Sequence, residues 1–262
     1  MTDSPEQVSR LDTGVPHSAR VWNYWLGGKD NFAADRAAGD QVKEAYPDVV
    51  EIARASRAFL IRSVRFLAGE VGIRQFLDIG TGLPTADNTH EVAQRLAPSS
   101  RIVYVDNDPL VLTHARALLT SSPQGATEYI DADVRDPGKI LQGAAETLDF
   151  SQPVALMLLG ILGNVADTDE AHEIVARLLD AVPSGSYLVI NDGVKITEVH
   201  ASAEETAHDA GHQYILRSPE AVAGFFEGLE LVEPGVVSTP RWRPDTDEQA
   251  ELAVFCGVAR KL

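Results

Sequence analysis

From Arg74 onward the chain alternates short apolar runs with amphipathic helical segments, and this alternation narrows the available folds more than any other feature. The apolar runs cover 75–79, 102–105, 127–130, 154–159, 187–190, 231–237 and 252–258, with helical patterns at 88–96, 109–119 and 169–181. Strand, helix, strand at this spacing implies βαβ units, because parallel neighbours need a crossover of a dozen or more residues. The last two runs have no long helix between them, which predicts antiparallel neighbours. The expected fold is therefore α/β and Rossmann-like: a mostly parallel seven-stranded sheet, one strand per run, ending in an antiparallel hairpin.

Residues 1–74 follow another pattern. Pro16, Gly27 and Gly28 interrupt the first part, and a long helical pattern after Pro47 carries Val50, Ala53, Phe59, Val64 and Leu67 on its apolar positions. We expect 1–74 to form an N-terminal helical cap or lid. Residues 75–262 would form the ligand-binding domain, with an inserted segment at 192–213.

Charge bears on partners. The formal net charge of −17 repels phosphate backbones, and the arginines at 54, 57, 62 and 65 are flanked by Glu51 and Glu70 as on a solvated helix face. Nucleic acid is thus disfavoured as a partner. No apolar run reaches the roughly 20 residues needed to cross a bilayer. The polar start is unlike a secretory signal, and a lone cysteine, Cys256, fits a reducing cytoplasm. Cys256 sits in the apolar run 253–258, as a buried small residue would.

The chemistry gathers at the ends of the apolar runs. The first junction reads Phe76-Leu77-Asp78-Ile79-Gly80-Thr81-Gly82-Leu83-Pro84. Glycines there let the backbone turn tightly and approach a ligand, and a helix capped by Asn88 and Glu91 would follow. Asp78, at the strand end, is positioned to meet a ligand's ammonium group directly or through water. A dinucleotide fingerprint would place a third glycine at position 85, where Thr85 stands, which argues against a nicotinamide-dependent oxidoreductase. The second run ends at Asp106, about 20 residues further on, where ribose hydroxyls need an acceptor. The third ends in Asp131-Ala132-Asp133-Val134, where Asp133 and the Val134 amide suit an adenine edge.

Three stretches, residues 15–32 (Val-Pro-His-Ser-Ala-Arg-Val-Trp-Asn-Tyr-Trp-Leu-Gly-Gly-Lys-Asp-Asn-Phe), 76–85 and 104–109, resemble a family of S-adenosylmethionine-dependent methyltransferases abundant in actinomycetes. Residues 217–222 and 233–244 are similar to it as well. The resemblance spans nearly the whole chain. It implies a class I methyltransferase fold, S-adenosylmethionine as cofactor and Gly80, Gly82, Asp106 and Asp133 around it, while the family's substrates are largely unassigned. With Asp78, Thr81, Asn107, Val134, Leu159 and Gly160, these complete the expected cofactor site. Tyr24, Asn31, Asn164 and Asp192 are the candidates for contacting a small-molecule acceptor.

Trp22, Tyr24, Trp25 and Phe32 around Gly27 and Gly28 read as a helix and turn closing over the cofactor. One departure from the resemblance stands out: the fourth run is followed by Gly163-Asn164, where such families often carry histidine or an aromatic residue. That motivates the alternative of a non-catalytic S-adenosylmethionine-binding sensor or partner-binding protein. His208 and His212 at i and i+4, with His200 near, have helical zinc-ligand spacing, but Gly211 weakens the helix; we expect surface histidines and no metal.

Overall fold

The computed structural model describes residues 12–118, 120–209, 214–246 and 250–262. Helices α1 (Ser18–Trp25), α2 (Ala33–Ala45) and α3 (Val49–Arg65) precede the sheet, and a π-helical turn, Phe66–Val71, ends α3. Strands β1 (Gln75–Ile79), β2 (Arg101–Asp106), β3 (Ala126–Asp131), β4 (Ala155–Leu159) and β5 (Tyr187–Gly193) then alternate with α4 (Thr89–Leu96), α5 (Pro109–Leu118), α6 (Pro137–Ala144) and α7 (Thr168–Asp180). After β5 come α8 (Glu198–Asp209), α9 (Pro219–Gly224), β6 (Glu230–Leu231), β7 (Val237–Ser238) and β8 (Val254–Arg260).

The sheet runs β3-β2-β1-β4-β5-β8-β6, with β7 also paired to β8. Neighbours from β3 to β5 are parallel, and β8 inserts antiparallel beside β5, Ile190 opposite Gly257. The antiparallel ending expected from the short final loops is present. The sheet has eight strands rather than seven because the run 231–237 is split. Pro234, which lacks an N–H, and Gly235, at φ 86°, loop out between β6 and β7 while β8 continues past both.

Alternation along the buried strands feeds two cores. Leu77, Ile79, Val103, Val105, Leu156, Leu158, Leu188 and Ile190 face α6, α7 and α9 through Ile140, Ile174, Leu178 and Val222. Phe76, Ile102, Tyr104, Met157, Val189 and Cys256 face α3 and α4 through Phe59, Val64, Val92 and Ala93. Burial on both faces is why these strands read as unbroken apolar runs. Helix α4 starts where the sequence places its cap: the Asn88 amide donates to Glu91 at 2.7 Å.

Trp242 is fully buried against Phe59 and Phe66, and Arg62 on α3 donates to the carbonyls of Trp242 (2.9 Å) and Thr239 (2.8 Å). The residues near 240 thus lock α3 onto the sheet. A third cluster joins Val21 and Trp25 of α1, Ala38 and Val42 of α2, Ala53 of α3 and Ala207 of α8. Segments distant in sequence thereby form one helical layer above the carboxyl ends of the strands. Among the described residues no helix is long and apolar enough to cross a membrane.

Candidate active site

Ligands of open α/β sheets bind at the carboxyl ends of the strands, and a cavity of about 360 Å³ lies there. Its floor is built from consecutive strand ends: Gly80, Thr81 and Gly82 after β1, Asp106 and Asn107 at β2, Asp133 and Val134 after β3, and Leu159 and Gly160 at β4. Gly80 (φ 76°) and Gly82 (φ 67°) hold left-handed backbone, and a side chain on Gly80 would strike Ile161 at 2.6 Å. The turn is pinned by Gly80 N–H donating to the Val105 carbonyl at 2.8 Å.

Asp106 anchors this floor. Its carboxylate accepts the Gly82 amide at 2.8 Å and the Asp108 amide at 3.0 Å, one on each oxygen, so the two loops share one carboxylate. Burial raises its pKa, and the two amides oppose that rise. Asp133 stands at the rim, accepting from Asn107 (3.0 Å) and from the Arg135 amide (2.9 Å).

Asp78 takes a different position. It is absent from the cavity lining, and its buried carboxylate accepts the Thr89 hydroxyl at 2.6 Å at the start of α4. Burial pushes its pKa up to about 6, opposed by Thr89 and by Arg57. Arg57 donates to the Ala86 carbonyl (2.7 Å) and to Asn88 (3.2 Å), so it braces the glycine turn from behind.

The roof comes from the helices. Trp22 and Trp25 of α1, Val42 of α2, Val49, Ile52 and Ser56 of α3, and His200, Glu204 and Ala207 of α8 line it, with Tyr46 between α2 and α3. Helix α1 ends as its glycines predict: Gly27 is at φ 79°, and Gly28 N–H donates to the Asn23 carbonyl at 2.8 Å. Buried charge fastens α1 to the floor. Arg20, 5% exposed in its side chain, lies 3.3 Å from Asp108 and 3.6 Å from Asp35, and His17 lies 3.0 Å from Asp108. Asp35 also accepts the amides of His17 (2.9 Å) and Phe32 (2.7 Å). The polar positions of the stretch 15–32 thus form a latch onto the loop that carries Asp106.

The acceptor candidates separate. Asn164 lines the cavity beside Ile161. Tyr24 does not line it; its hydroxyl donates to Asp40 at 2.6 Å. Asn31 donates to Asn23 (2.9 Å) and to the Gly28 carbonyl (3.0 Å), a loop brace away from the cavity wall. Asp192 lies just behind the wall, with Tyr214 between it and the cavity.

Sequence reasoning missed Tyr46, Ser56 and Tyr214, and did not place His17 at the wall. They come together only through tertiary contacts, and no local pattern marks them. His200 accepts the Thr197 amide on Nδ1 at 3.0 Å, so its neutral ring carries the proton on Nε2, which donates to the Tyr46 hydroxyl at 3.2 Å. Burial lowers the His200 pKa and raises that of Tyr46, keeping both uncharged. His208 is exposed, and its partner His212 lies outside the described residues.

Comparison with known proteins follows the same geometry. A DUF574 family protein from Streptomyces avermitilis is 45% identical, with TM-score 0.92 over 97% of this chain and 100% of its own. A Thermobifida fusca protein, provisionally described as a methyltransferase, is 43% identical, with TM-score 0.89 over 98% of this chain and 97% of its own. The plantazolicin methyltransferase BpumL, solved with S-adenosylhomocysteine, shares the fold alone: 12% identity, TM-score 0.50, 93% of this chain and 95% of its own. No curated protein matches the chain. The family model for S-adenosyl methyltransferases matches residues 4–262. With its glycine turn and strand-end carboxylates, the chain belongs to the S-adenosyl methyltransferase family and is an S-adenosylmethionine-dependent methyltransferase on a class I methyltransferase fold.

Proposed function

We propose that the chain methylates a small molecule enclosed between the strand ends and the helical roof. The observation that carries this reading is one continuous cavity that runs from Asp106 and Asp133 to Ile161, His200 and Tyr214 under helices of the same chain. A roof of this kind suits an acceptor that enters whole, and the net charge of −17 disfavours nucleic acid.

The residues fit the cofactor. Gly82 faces open space that a side chain would fill, and the Ser56 hydroxyl is buried at the cavity wall without a protein partner, ready for a polar ligand group. Asp106 would accept from ribose hydroxyls, its oxygens each having a lone pair beyond those used by the amides. Asp133 and the Val134 amide would meet the adenine edge. Thr81, Asn107, Leu159 and Gly160 would complete the floor. The Asp78 carboxylate, turned to Thr89, would act on the ligand only by bracing the turn.

S-adenosylmethionine supplies a methyl group on a positively charged sulfur. The protein's part is to align an acceptor atom with that carbon and exclude water, and positioning alone lowers such barriers substantially. Residues 18–45 with α8 serve as the lid in this reading, while α3 belongs with the sheet it packs against. The reaction belongs in the cytoplasm, a placement supported by the single buried thiol of Cys256.

The test is labelled-methyl transfer from S-adenosylmethionine into an actinomycete extract, split into small-molecule and macromolecular fractions. Label in the small-molecule fraction is expected. Label confined to macromolecules would overturn the acceptor class, and calorimetric binding of NAD in preference to S-adenosylhomocysteine would overturn the site.

A further inference from the structure

Gly163, after β4, and Gly193, at the end of β5, both make room for one side chain. A side-chain carbon on Gly163 would run into the ring of Tyr214, and one on Gly193 would lie 3.3 Å from that ring and 2.8 Å from Leu216. The segment after Tyr214 is tied down beside them: Ile215 N–H donates to the Gly163 carbonyl at 2.7 Å, and Leu216 N–H to Glu204 at 3.3 Å. Tyr214 therefore occupies the place beside Asn164 where the segment after β4 itself carries no aromatic or basic side chain.

Its hydroxyl donates to Asp192, which is 2% exposed and also accepts the amides of Gly163 and Gly193, each at 3.1 Å. Asp192 does not line the cavity, whereas Tyr214 does. The Tyr214 hydroxyl, which also accepts the Gly193 amide at 3.4 Å, is the hydrogen-bonded link from a cavity-lining residue to that carboxylate. Arg217 is the other charged group facing Asp192, and its N–H groups go to Leu162 (2.8 Å), Val165 (2.6 Å) and Thr168 (3.3 Å).

We propose that Tyr214 and Asp192 form a proton relay that serves a hydroxyl group on an aromatic acceptor. The inference deepens the methyltransferase reading and rests on it. Trp22, Ile52, Ile161, Leu216 and Val254 offer the apolar walls that an aromatic ring needs. A neutral hydroxyl must lose its proton as its oxygen is methylated, and this relay provides the path. The acceptor O–H proton goes to the Tyr214 oxygen as the tyrosine's own proton goes to Asp192. The acceptor oxygen forms its bond to the methyl carbon, and the carbon–sulfur bond breaks with its electron pair left on sulfur. The products are a methyl ether, S-adenosylhomocysteine and a neutral Asp192, which then releases its proton to solvent.

The resting charges suit this sequence. Burial raises Asp192 to about 6, leaving it mostly ionised at neutral pH, and burial together with the nearby carboxylate holds Tyr214 protonated. Tyr214 is the catalytic residue here, and Asp192 acts through it as a positioning residue.

The test uses 4-nitrophenol, whose absorbance distinguishes phenol from phenolate, with the full chain saturated with S-adenosylhomocysteine. Wild type is expected to bind the probe as the neutral phenol at neutral pH, because Asp192 at about 6 is a weaker base than 4-nitrophenolate, and the proton leaves through Tyr214 only as the methyl group is transferred. With labelled S-adenosylmethionine, wild-type transfer to the probe should rise with pH through about 6. Tyr214→Phe and Asp192→Asn should both be slower by about 100-fold, within the usual range for general-base assistance. Both should retain wild-type affinity for S-adenosylhomocysteine, which shows that they fold. Equal transfer rates in wild type and both variants, one pH profile shared by all three proteins, or no binding of 4-nitrophenol would overturn the relay or its acceptor class. Failure of wild type to bind S-adenosylhomocysteine would instead sink the methyltransferase reading beneath it.

Discussion

The floor and the roof of the cavity are held by different kinds of bond. The floor is made of turns that follow β1, β2, β3 and β4, tied by backbone amides and one shared carboxylate, Asp106. The roof is made of helices that precede β1 and one that follows β5, joined by apolar contacts and by the buried ions Arg20, Asp35 and Asp108. The floor is cross-linked from strand to strand, Gly80 to Val105, Gly82 to Asp106 and Asn107 to Asp133, so no one bond carries it. The roof depends on a few long-range contacts, and so it is the part that a single substitution can release.

Removing Arg20 should have the largest effect. Arg20→Met leaves Asp35 and Asp108 buried without their cation, and breaking a buried pair in this way destabilises by about 3–5 kcal/mol. Denaturant unfolding should show a lower midpoint, and S-adenosylhomocysteine should bind more weakly as the Asp108 loop loosens. An unchanged midpoint would dissolve the distinction between floor and roof.

Next comes Asp106→Ala. Hydrogen bonds to charged groups contribute about 1.5–3 kcal/mol, so calorimetry should find S-adenosylhomocysteine bound about 10- to 100-fold more weakly. Wild-type affinity in that variant would remove Asp106 from the ribose.

Asp78 sharpens the comparison through pH. Its folded pKa of about 6 lies above the usual carboxylate value, so the folded state holds this proton more tightly than the unfolded chain does. The stability it contributes is complete below about pH 4 and is lost as pH rises through about 6. Asp78→Asn keeps an acceptor for Thr89 and should lack that slope. The difference between the two proteins should grow by roughly 2 kcal/mol across this window, read from unfolding midpoints at each pH. Parallel pH curves would place the Asp78 carboxyl in water.

Tyr24→Phe should do least. The Tyr24 hydroxyl meets exposed Asp40 on the outside of the roof, so stability should change by under about 1 kcal/mol and methyl transfer should stay at the wild-type rate. A large loss of transfer would return Tyr24 to the acceptor wall.

Legibility in the sequence follows the same division. The parallel strands, the Asn88 cap, the glycine turn and the aspartates at 106 and 133 could be read because each is announced by its neighbours: an apolar run, then a turn residue, then a carboxylate. Helix α6 went unread because Gly138 and Gly143 dilute its helical pattern. The split of 231–237 turned on Pro234 and Gly235 inside an otherwise apolar run. Tyr214, Ser56 and Tyr46 stayed hidden for another reason. Each reaches the cavity by packing against partners remote in sequence, as Tyr214 does against Gly163 and Tyr46 does with His200. Asp78 holds a telling position at the strand end, and its side chain is engaged by a near partner, Thr89.

The contact of Arg20 and His17 with Asp108 also bears on modularity. A chimera that carried residues 15–45 onto the sheet of another methyltransferase would bring a buried guanidinium paired to Asp35 alone, with its second counter-ion left behind on the donor's β2 loop. Roof and sheet are therefore not interchangeable parts. The smallest transferable unit is the roof together with the Asp106-Asn107-Asp108 loop.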